Sequence, residues 1–534
     1  MMTMDRRKLL ATLGLYGLGA VAQRVFALPR PLPRNVWNKP SFESHPFTLG
    51  VAAGDPSMDG FALWTRLAPK PLERGGGMRM RPIAVTWEVA TDEGFRDIAQ
   101  SGTAVAHPEL AHSVHVEVTG LQPARPYWYR FFAGSEASVV GRSATFPAAN
   151  SRVDRVRFAV GGCQHYEGGW YTAWRRIAEA SPDFVFHYGD YIYESDDKGP
   201  KPRPSNGAMY ALPRRHLTDE VYSLDDYRLR YSLYKSDPDL QAAHAAAPWF
   251  VSSDDHEVDN DWAADQDQDG TPTEIFLLRR AVAMQAYYEH MPLRPRSFPA
   301  GGKMQIFRRA AFGDLLQLHV LDTRQYRDLK IMTGDMRDKR KRAAAPDRTL
   351  LGAEQEAWLF DGIASSQARW QLIAQQVMMM DLSRPASATS NEMVYSMDSW
   401  AGYQHSRRRL LEHIQRTNQR NVVVVGGDAH RHYAGDLVLD EKDGPAIASE
   451  FHATSITSGF DGIGEADEPT RLHRQYNPEL KAMTDKRGYV FCEVDRNAWR
   501  GDLKVLDKVT ERDGKLSTHA SFIVEHGQPG LQRA

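Results

Sequence analysis

Acidic residues and histidines follow three short apolar runs, where they could bind metal ions. The runs "DFVFHYGD", "WFVSSDDH" and "NVVVVGGDAH" end in Asp190, in Asp255 with His256, and in Asp428 with His430. Carboxylates that lie close together away from water repel one another unless cations neutralise them. Carboxylate oxygen and imidazole nitrogen together indicate hard or borderline metals. A pair of metals about 3.5–4 Å apart, bridged by one carboxylate, is an arrangement suited to phosphoester hydrolysis.

A cysteine also follows an apolar run. In "VRFAVGGCQHYEGGW", Cys163 stands between two glycines and a Gln-His pair, and taken alone it would more often be a core residue than a ligand. The other cysteine, Cys492 in "YVFCEV", is predicted to fill space inside a strand. Two cysteines form at most one bridge, so the chain is not a disulfide-stabilised scaffold.

Apolar strands alternate with helical stretches from Arg155 onward. Helices are predicted for "WYTAWRRIAEA" and "SRRRLLEHIQRTNQ". Continuous apolar strands alternating with helices indicate α/β sheets that are buried on both faces. In such folds a ligand binds beyond the carboxyl ends of the strands, and the candidate residues fall at those ends.

An all-β domain is predicted ahead of the α/β region. Residues 47–149 contain short runs rich in Val, Thr and aromatic residues with alternating polarity. Leu121, Pro123 and Tyr127 have the spacing of a tyrosine corner, which favours a fibronectin-like β-sandwich. The chain is therefore predicted to divide into a Pro-rich lead-in, the sandwich, a catalytic domain and a C-terminal tail, at residues 28–46, 47–149, 150–520 and 521–534.

The first residues are typical of a signal peptide. Arg6 and Arg7 precede a mostly apolar run from Leu9 to Ala22, and small residues lead to an expected cleavage site after Ala27. The run is shorter than the roughly 17–25 residues of a membrane span. The paired arginines favour the twin-arginine translocation machinery as a partner, with a periplasmic or secreted bacterial location. The alternative is an amphipathic or buried N-terminal helix.

Composition excludes several classes of function. The chain of 534 residues is 42% hydrophobic and 25% charged, which is ordinary for a globular protein. Its 66 basic and 68 acidic residues give a net charge of -2, so no nucleic-acid-binding surface is indicated. No later segment is long and apolar enough for a transmembrane span, and a monomer is expected.

Several ordered motifs resemble one known family. Behind "FTLGVAAGDPSMDGFALWTRLAP" come, in order, "GDYIYE", "DDHEVDND", "LDTRQYR", "GGDAHRH" and "EFHATSITS". This series resembles the PhoD-like alkaline phosphatase/phosphodiesterase family of the calcineurin-like metallophosphoesterases, and it extends from about Pro46 to about Val509. The resemblance implies a metallophosphoesterase-type two-sheet βαβ sandwich for the α/β domain.

The resemblance also implies a mixed metal centre. Asp190 would bridge two metals, and Cys163, Tyr193 and His430 would complete the coordination of Fe³⁺. Calcium would be bound by Asp428 and Asn260, with Asp255. Zn²⁺ or Mn²⁺ are alternative metals.

Two further residues are assigned catalytic roles by the resemblance. His256 would contact phosphate and act as general acid, and Arg324 would position groups or bind phosphate. The expected reaction is hydrolysis of a small phosphomonoester substrate, with phosphodiesters as further substrates, by attack of a metal-held oxide or hydroxide on phosphorus. The alternatives are a phospholipase D-like phosphodiesterase and a non-catalytic metal-holding surface protein.

Some residues depart from the family pattern, and one run of residues has an alternative interpretation. His165, Asp261 and His432 are departures that concern outer contacts rather than the metal ligands. The run "DQDQDG" at 265–270 has the first half of an EF-hand loop, but Phe276 stands where the bidentate Glu is needed, so a polar loop is favoured. Residues 194–220 are predicted to form a long surface loop, with a lid as one possibility.

Overall fold

A computed structural model of the protein describes residues 33, 35–199, 201–202, 209–439 and 442–534. The predicted signal peptide, residues 1–27, lies outside the described residues. Residues 28–32 and 34 of the predicted lead-in also lie outside them, as do residues 200 and 203–208 of the predicted loop at 194–220. Among the helices that the structure describes, none combines the length and apolar character needed to cross a membrane.

The strands are short, as expected from the sequence. Their bounds are β1 Val51–Ser57, β2 Gly60–Arg66, β3 Ile83–Ala90, β4 Ile98–Ala106, β5 Ser113–Val118, β6 Pro126–Ala133, β7 Glu136–Ala137, β8 Gly141–Ala144, β9 Arg155–Gly161, β10 Phe184–His187, β11 Lys201–Pro202, β12 Met209–Tyr210, β13 Trp249–Val251, β14 Arg308–Phe312, β15 Leu316–Val320, β16 Trp370–Ala374, β17 Ser383–Pro385, β18 Met393–Tyr395, β19 Val422–Gly426, β20 His432–Leu437, β21 Ala448–His452, β22 Leu480–Thr484, β23 Gly488–Asp495, β24 Ala498–Leu506, β25 Leu516–Glu525 and β26 Gln528–Arg533.

The α-helices are interspersed among these strands. Their bounds are α1 Thr172–Ala180, α2 Leu224–Lys235, α3 Pro238–Ala246, α4 Thr273–His290, α5 Met336–Ala343, α6 Gly352–Ser365, α7 Gln404–Arg416 and α8 Glu468–Tyr476. Helices α1 and α7 coincide with the two stretches for which the sequence predicts helices.

The chain forms two compact units. The first comprises the described residues up to Phe146 together with Glu220–Trp249 and Pro272–Gln305. The second comprises Pro147–Asp219, Phe250–Thr271 and Ile306–Ala534. The first unit therefore contains the predicted β-sandwich and also helices α2, α3 and α4, which come from two insertions later in the chain.

The first unit contains the antiparallel sheets that the sequence predicts. One sheet places β2 between β1 and β5, and the other has the order β4-β3-β6-β7, with β8 also paired to β6. Buried apolar residues of both sheets form one core, because alternate side chains of each strand point inward. The Tyr127 hydroxyl lies 3.1 Å from the Gln122 amide and 3.3 Å from the Gln122 carbonyl oxygen, which is the contact expected of a tyrosine corner.

The second unit contains two sheets built mainly from continuous apolar strands. One has the order β26-β25-β24-β23-β9-β10, and the other has the order β14-β15-β16-β19-β21-β20-β22. Strands β9 and β10 are parallel, as are neighbours in the series β15, β16, β19 and β21. Every residue of β16 and β19 is buried, and helices α6 and α7 pack against them through Leu359 and Leu411. This explains why the strands are apolar on both faces.

The end of the chain belongs to this second unit. Residues 521–534, assigned to a tail from the sequence, form most of the strand pair β25 and β26 at the edge of the first of its sheets. Cys492 lies fully buried in β23, opposite Phe158 of β9, as predicted.

Candidate metal centre

Four candidate ligands adopt an unusual backbone conformation immediately after their strands. Cys163 follows β9, Asp190 follows β10, and Asp428 and His430 follow β19, with φ values of 48°, 54°, 77° and 53°. Positive φ is uncommon for residues other than glycine. Such conformations cluster at functional sites, where the surrounding structure maintains them. Here they turn the chain sharply, so that each side chain lies at the edge of its sheet.

Glycines permit the loops to approach one another at these strand ends. Gly189 has a φ of 135°, and a Cβ atom there would overlap the backbone and Cβ of Asp254. A Cβ atom on Gly427 would overlap the ring of Tyr188, which is fully buried. The Gly-Asp pairs of the sequence therefore combine a residue that allows close approach with a candidate ligand.

The first group of donors surrounds one carboxylate oxygen of Asp190. The Tyr193 hydroxyl donates to Asp190 Oδ2 at 2.8 Å, and the Cys163 thiol lies 3.3 Å from the same oxygen. His430 Nε2 lies 3.2 Å from the Tyr193 hydroxyl. Ligand atoms of Cys163, Asp190 and His430 all fall within 4.8 Å of one another. Thiol, phenol, carboxyl and imidazole groups thus meet in one buried place.

Asp190 also belongs to a second group of donors. Its ligand atoms lie within 4.8 Å of those of Asp255 and His256, and a further group contains Asp254, Asp255 and Asp428. Asp190 is the residue common to the first and second groups. This is the geometry expected of a bridging carboxylate.

Burial makes this collection of acids costly unless a cation is present. Burial raises the pKa of Asp190 well above its usual value, against the opposing effect of His256, and Asp255 and Asp254 raise it further. Burial and then Asp254 raise the pKa of Asp428. Burial, followed by the charge of Asp190, also raises the pKa values of the Cys163 thiol and the Tyr193 phenol. The donors therefore fit metal cations, which would hold these groups in their ionised form.

Comparison with known proteins identifies the family. Residues 158–503 match the family model described as PhoD-like phosphatase, and residues 33–147 match the one described as PhoD-like phosphatase, N-terminal domain. The chain belongs to the PhoD-like phosphatase family.

Individual relatives agree with this assignment. The chain is 45% identical over 537 aligned residues to alkaline phosphatase D of Bacillus subtilis (strain 168), covering 99% of this chain and 89% of the relative. A solved structure of PhoD superposes with a TM-score of 0.86 and 45% identity, covering 93% of each chain. The resemblance deduced from the motifs is thereby confirmed, and the chain is a phosphoesterase of this family.

A more distant structure confirms the predicted fold class. A purple acid phosphatase from yellow lupin (Lupinus luteus) seeds superposes with a TM-score of 0.52 at 12% identity, covering 89% of this chain and 74% of that one. At this identity the likeness concerns the fold alone. It agrees with a metallophosphoesterase-type α/β fold.

His256 of this PhoD-like phosphatase is held by an acid that the sequence analysis did not select. Its Nδ1 atom lies 2.6 Å from Glu194 Oε2, and its ring stacks on Tyr193 with centroids 4.0 Å apart. Burial lowers the pKa of His256, but Glu194, Asp190 and Asp255 more than offset this and raise it well above its usual value. Glu194 is the last residue of "GDYIYE", so its place in a motif was the available signal.

A second acid that the sequence analysis did not select supports the loops themselves. Glu257 accepts hydrogen bonds from the backbone amides of Asp190, Tyr191 and Asp254, at 3.2, 2.6 and 2.8 Å. It connects the loop after β10 to the loop after β13. Glu257 is the Glu of "DDHE", and its distance from Asp190 in the sequence conceals this contact.

Arg324 lies among the carboxylates rather than beside an open cleft. It is fully buried, its Nε atom donates to Asp254, and its Nη1 atom lies 3.0 Å from Asp398. Its Nη2 atom lies 3.6 Å from Asp255 and 3.5 Å from Asp428. The guanidinium therefore provides positive charge beside Asp255 and Asp428, which the sequence analysis predicts as calcium ligands.

Three further residues from the sequence analysis have defined contacts in the structure. They are the candidate ligand Asn260 and two departures from the family pattern, Asp261 and His432. Asn260 is partly exposed, and its backbone amide donates to Glu194 at 3.1 Å. Asp261 is paired with Lys330, and its amide donates to Asp255. His432 is buried in β20, with Nε2 3.1 Å from the Lys504 carbonyl and Nδ1 accepting from the Thr454 amide. Both ring nitrogens of His432 are thus used by the backbone.

Proposed function

We propose that this protein is an exported, metal-dependent phosphoesterase that hydrolyses phosphomonoesters, with phosphodiesters as further substrates, and releases inorganic phosphate. The observation that carries the proposal is the shared position of Asp190, which belongs both to a thiol–phenol–imidazole group and to a group rich in carboxylates. Two dissimilar donor sets that meet at one carboxylate favour two dissimilar metal ions.

The chemistry of the two donor sets supports our choice of the two metals. Cys163, Tyr193 and His430 with Asp190 suit Fe³⁺, because thiolate and phenolate are anionic, electron-donating ligands. Asp255, Asn260 and Asp428 offer the oxygen ligands that calcium takes. When bound, such metals neutralise charge on a phosphoryl group and lower the pKa of coordinated water.

His256 is proposed to act as the general acid that donates a proton to the leaving group. Glu194, Asp190 and Asp255 raise the pKa of His256, which favours the protonated imidazole that a general acid requires. Glu194 holds Nδ1, which leaves Nε2 to donate a proton to the departing alkoxide oxygen. The stacked Tyr193 ring fixes the plane of the imidazole, so the acid is aimed before substrate binds.

Arg324 is assigned a positioning role. Four carboxylates surround its guanidinium, from Asp254, Asp255, Asp398 and Asp428. These contacts use the guanidinium for charge compensation among the ligands rather than for direct binding of phosphate. Its removal would leave the carboxylates to repel one another.

Export by the twin-arginine route is part of the proposal and has its own test. Arg6 and Arg7 would be replaced by lysines and the culture fractionated. Phosphatase activity is expected to stay in the cytoplasm of the variant and to leave it in the wild type. Equal export of both proteins would argue against this route.

The catalytic part of the proposal is tested on the purified mature protein. Iron, calcium, zinc and manganese would be measured by mass spectrometry, together with turnover of p-nitrophenyl phosphate and bis-p-nitrophenyl phosphate. We expect iron and calcium, visible charge-transfer absorption from the thiolate and phenolate ligands, and faster turnover of the monoester. A colourless, active zinc enzyme would refute the iron assignment, and exclusive turnover of the diester would favour the phospholipase D-like alternative.

A further inference from the structure

A second group of metal-ligating side chains lies beside the proposed catalytic centre and shares no residue with it. His165, Glu167 and His216 each offer one ligand atom, and these atoms lie within 4.8 Å of one another. Asp197 is adjacent, with its Oδ2 atom 3.9 Å from His165 Nδ1. His165 and Glu167 come from the loop after β9, whereas Asp197 and His216 come from the segment 194–219.

The carboxylate at the centre of this group is rigidly held. Glu167 Oε1 accepts the His216 amide at 3.0 Å, and Oε2 accepts the Asp197 amide at 2.6 Å. Both the Glu167 and His216 side chains are nearly inaccessible, with exposed fractions of 2% and 1%. The two backbone hydrogen bonds therefore fix the position of the Glu167 carboxylate.

The spacing of the donors matches that around a small metal ion. His216 Nδ1 lies 3.4 Å from Glu167 Oε2, and His165 Nε2 lies 3.9 Å from the same oxygen. Ligands bound at about 2.0–2.1 Å to a tetrahedral zinc ion are separated by about 3.4 Å. Small movements of the His165 ring would therefore bring all three donors to coordination distance.

We propose that His165, Glu167 and His216 form a second metal site that binds a borderline divalent ion of the zinc type. Two imidazoles and one carboxylate are a ligand set that such ions take, and they leave a fourth coordination position open. This site is independent of the iron and calcium assignment, because none of its donors belongs to that centre.

A metal ion at this site would hold two parts of the chain together next to the proposed catalytic centre. The ion would connect His216 to the loop that carries Cys163 and Glu167. The His165 ring lies 4.6 Å from the Tyr193 ring, so the connection would end against a proposed iron ligand. His165 was a departure from the family pattern in the sequence, and this role accounts for it.

The test counts zinc ions on the purified holoenzyme. Wild-type protein and the variant His216→Gln would be dialysed against zinc chloride, and zinc, iron and calcium would be measured on the same samples. His413→Gln is the matched control, because His413 is another buried histidine whose ring stacks on Phe360, and it lies in α7, away from any of the clustered donors. We expect one zinc ion per chain fewer in His216→Gln than in wild type, with the control unchanged.

The variant's affinity and stability provide a second readout. The loss of one ligand should weaken zinc binding by more than the 10–100-fold effect typical of an outer-shell partner. Zinc should raise the melting temperature of the wild type and the control, but not that of His216→Gln. An ion stabilises the folded protein only when it binds the folded state more tightly than the unfolded state. Equal zinc content and equal melting shifts in all three proteins would overturn the proposal, as would a wild type that takes up no zinc beyond its catalytic centre.

Discussion

Cys163 and Cys492 illustrate how one residue type serves two purposes in the same unit. Both are fully buried free cysteines, but Cys163 lies 3.3 Å from Asp190, whereas Cys492 packs inside β23. Burial raises the pKa of both thiols. The thiolate form of Cys163 would therefore depend on a nearby cation. Cys492 fills space inside its strand and needs no cation for that role.

Replacement of each cysteine by serine should separate these roles. Cys163→Ser should lose iron and the charge-transfer absorption, and activity should fall by more than about 100-fold, because even outer-shell changes cost 10–100-fold. Cys492→Ser should retain metal and activity but lose about 1–3 kcal/mol of unfolding free energy, since it buries a hydroxyl group. Metal analysis, turnover and thermal unfolding measure these effects. Full iron content in Cys163→Ser would contradict the assignment.

The proposed role of His256 as general acid predicts a dependence on the leaving group. His256→Asn should lower turnover of an alkyl phosphate by about 10²–10⁴-fold, because its alkoxide needs a proton as it departs. Turnover of p-nitrophenyl phosphate should fall much less, since nitrophenolate leaves without protonation. Glu194→Gln, which removes the carboxylate that holds Nδ1, should give the same pattern with a smaller loss. Equal losses for both substrates would mean that His256 acts otherwise.

The strand-to-loop junctions decide where the ligands lie. Gly189 separates β10 from Asp190, and its φ of 135° is reached at low cost by glycine alone. The space beside it is filled by Asp254. The close packing of the two acid-bearing loops therefore rests on the absence of a side chain at this position.

Gly189→Ala should disturb the centre although it removes no ligand. The added methyl would overlap Asp254 and require a strained backbone, so we expect lower metal content, lower activity and a reduced melting temperature. Gly199→Ala is the matched control, because a Cβ at Gly199 meets no atom within 4 Å. If the two variants behaved alike, the junction would not constrain the site.

Over the whole molecule, the buried acids link stability to metal and pH. Burial raises the pKa of Glu257 to about 8, and those of Asp190 and Asp428 are also raised. A group whose pKa is higher in the folded state than in the unfolded state contributes stability that is lost as the pH rises through its folded value. Metal ions would suppress this effect by holding the ligands ionised.

The metal-free protein should therefore become less stable on going from pH 7 to pH 9. We expect its melting temperature to fall by at least a few degrees over this range, while that of the metal-loaded protein changes much less. Thermal unfolding before and after chelation, followed by restoration of iron and calcium, measures the difference. A metal-free protein whose stability rose with pH would contradict the charge arrangement described above.

Much of the fold and part of the centre were predictable from sequence. The apolar strands, the sandwich with its Tyr127 corner, and helices α1 and α7 follow from local patterns of polarity and spacing. Asp190, Asp255, Asp428 and His430 were found because an acid or histidine directly after an apolar run is a local signal. The order of the motifs then identified the family.

Tertiary structure alone decided which of these groups meet. Glu257 supports Asp190 across 67 positions of sequence, and His165 approaches His216 across a loop, so neither contact leaves a local pattern. The insertions that carry α2, α3 and α4 into the first unit are equally invisible in the sequence. The sequence determines polarity, spacing and backbone preference at each position. How the sheets pack decides which distant charged groups come together in one buried place. For this reason Arg324 could be selected from a motif, but only the structure placed it among four carboxylates.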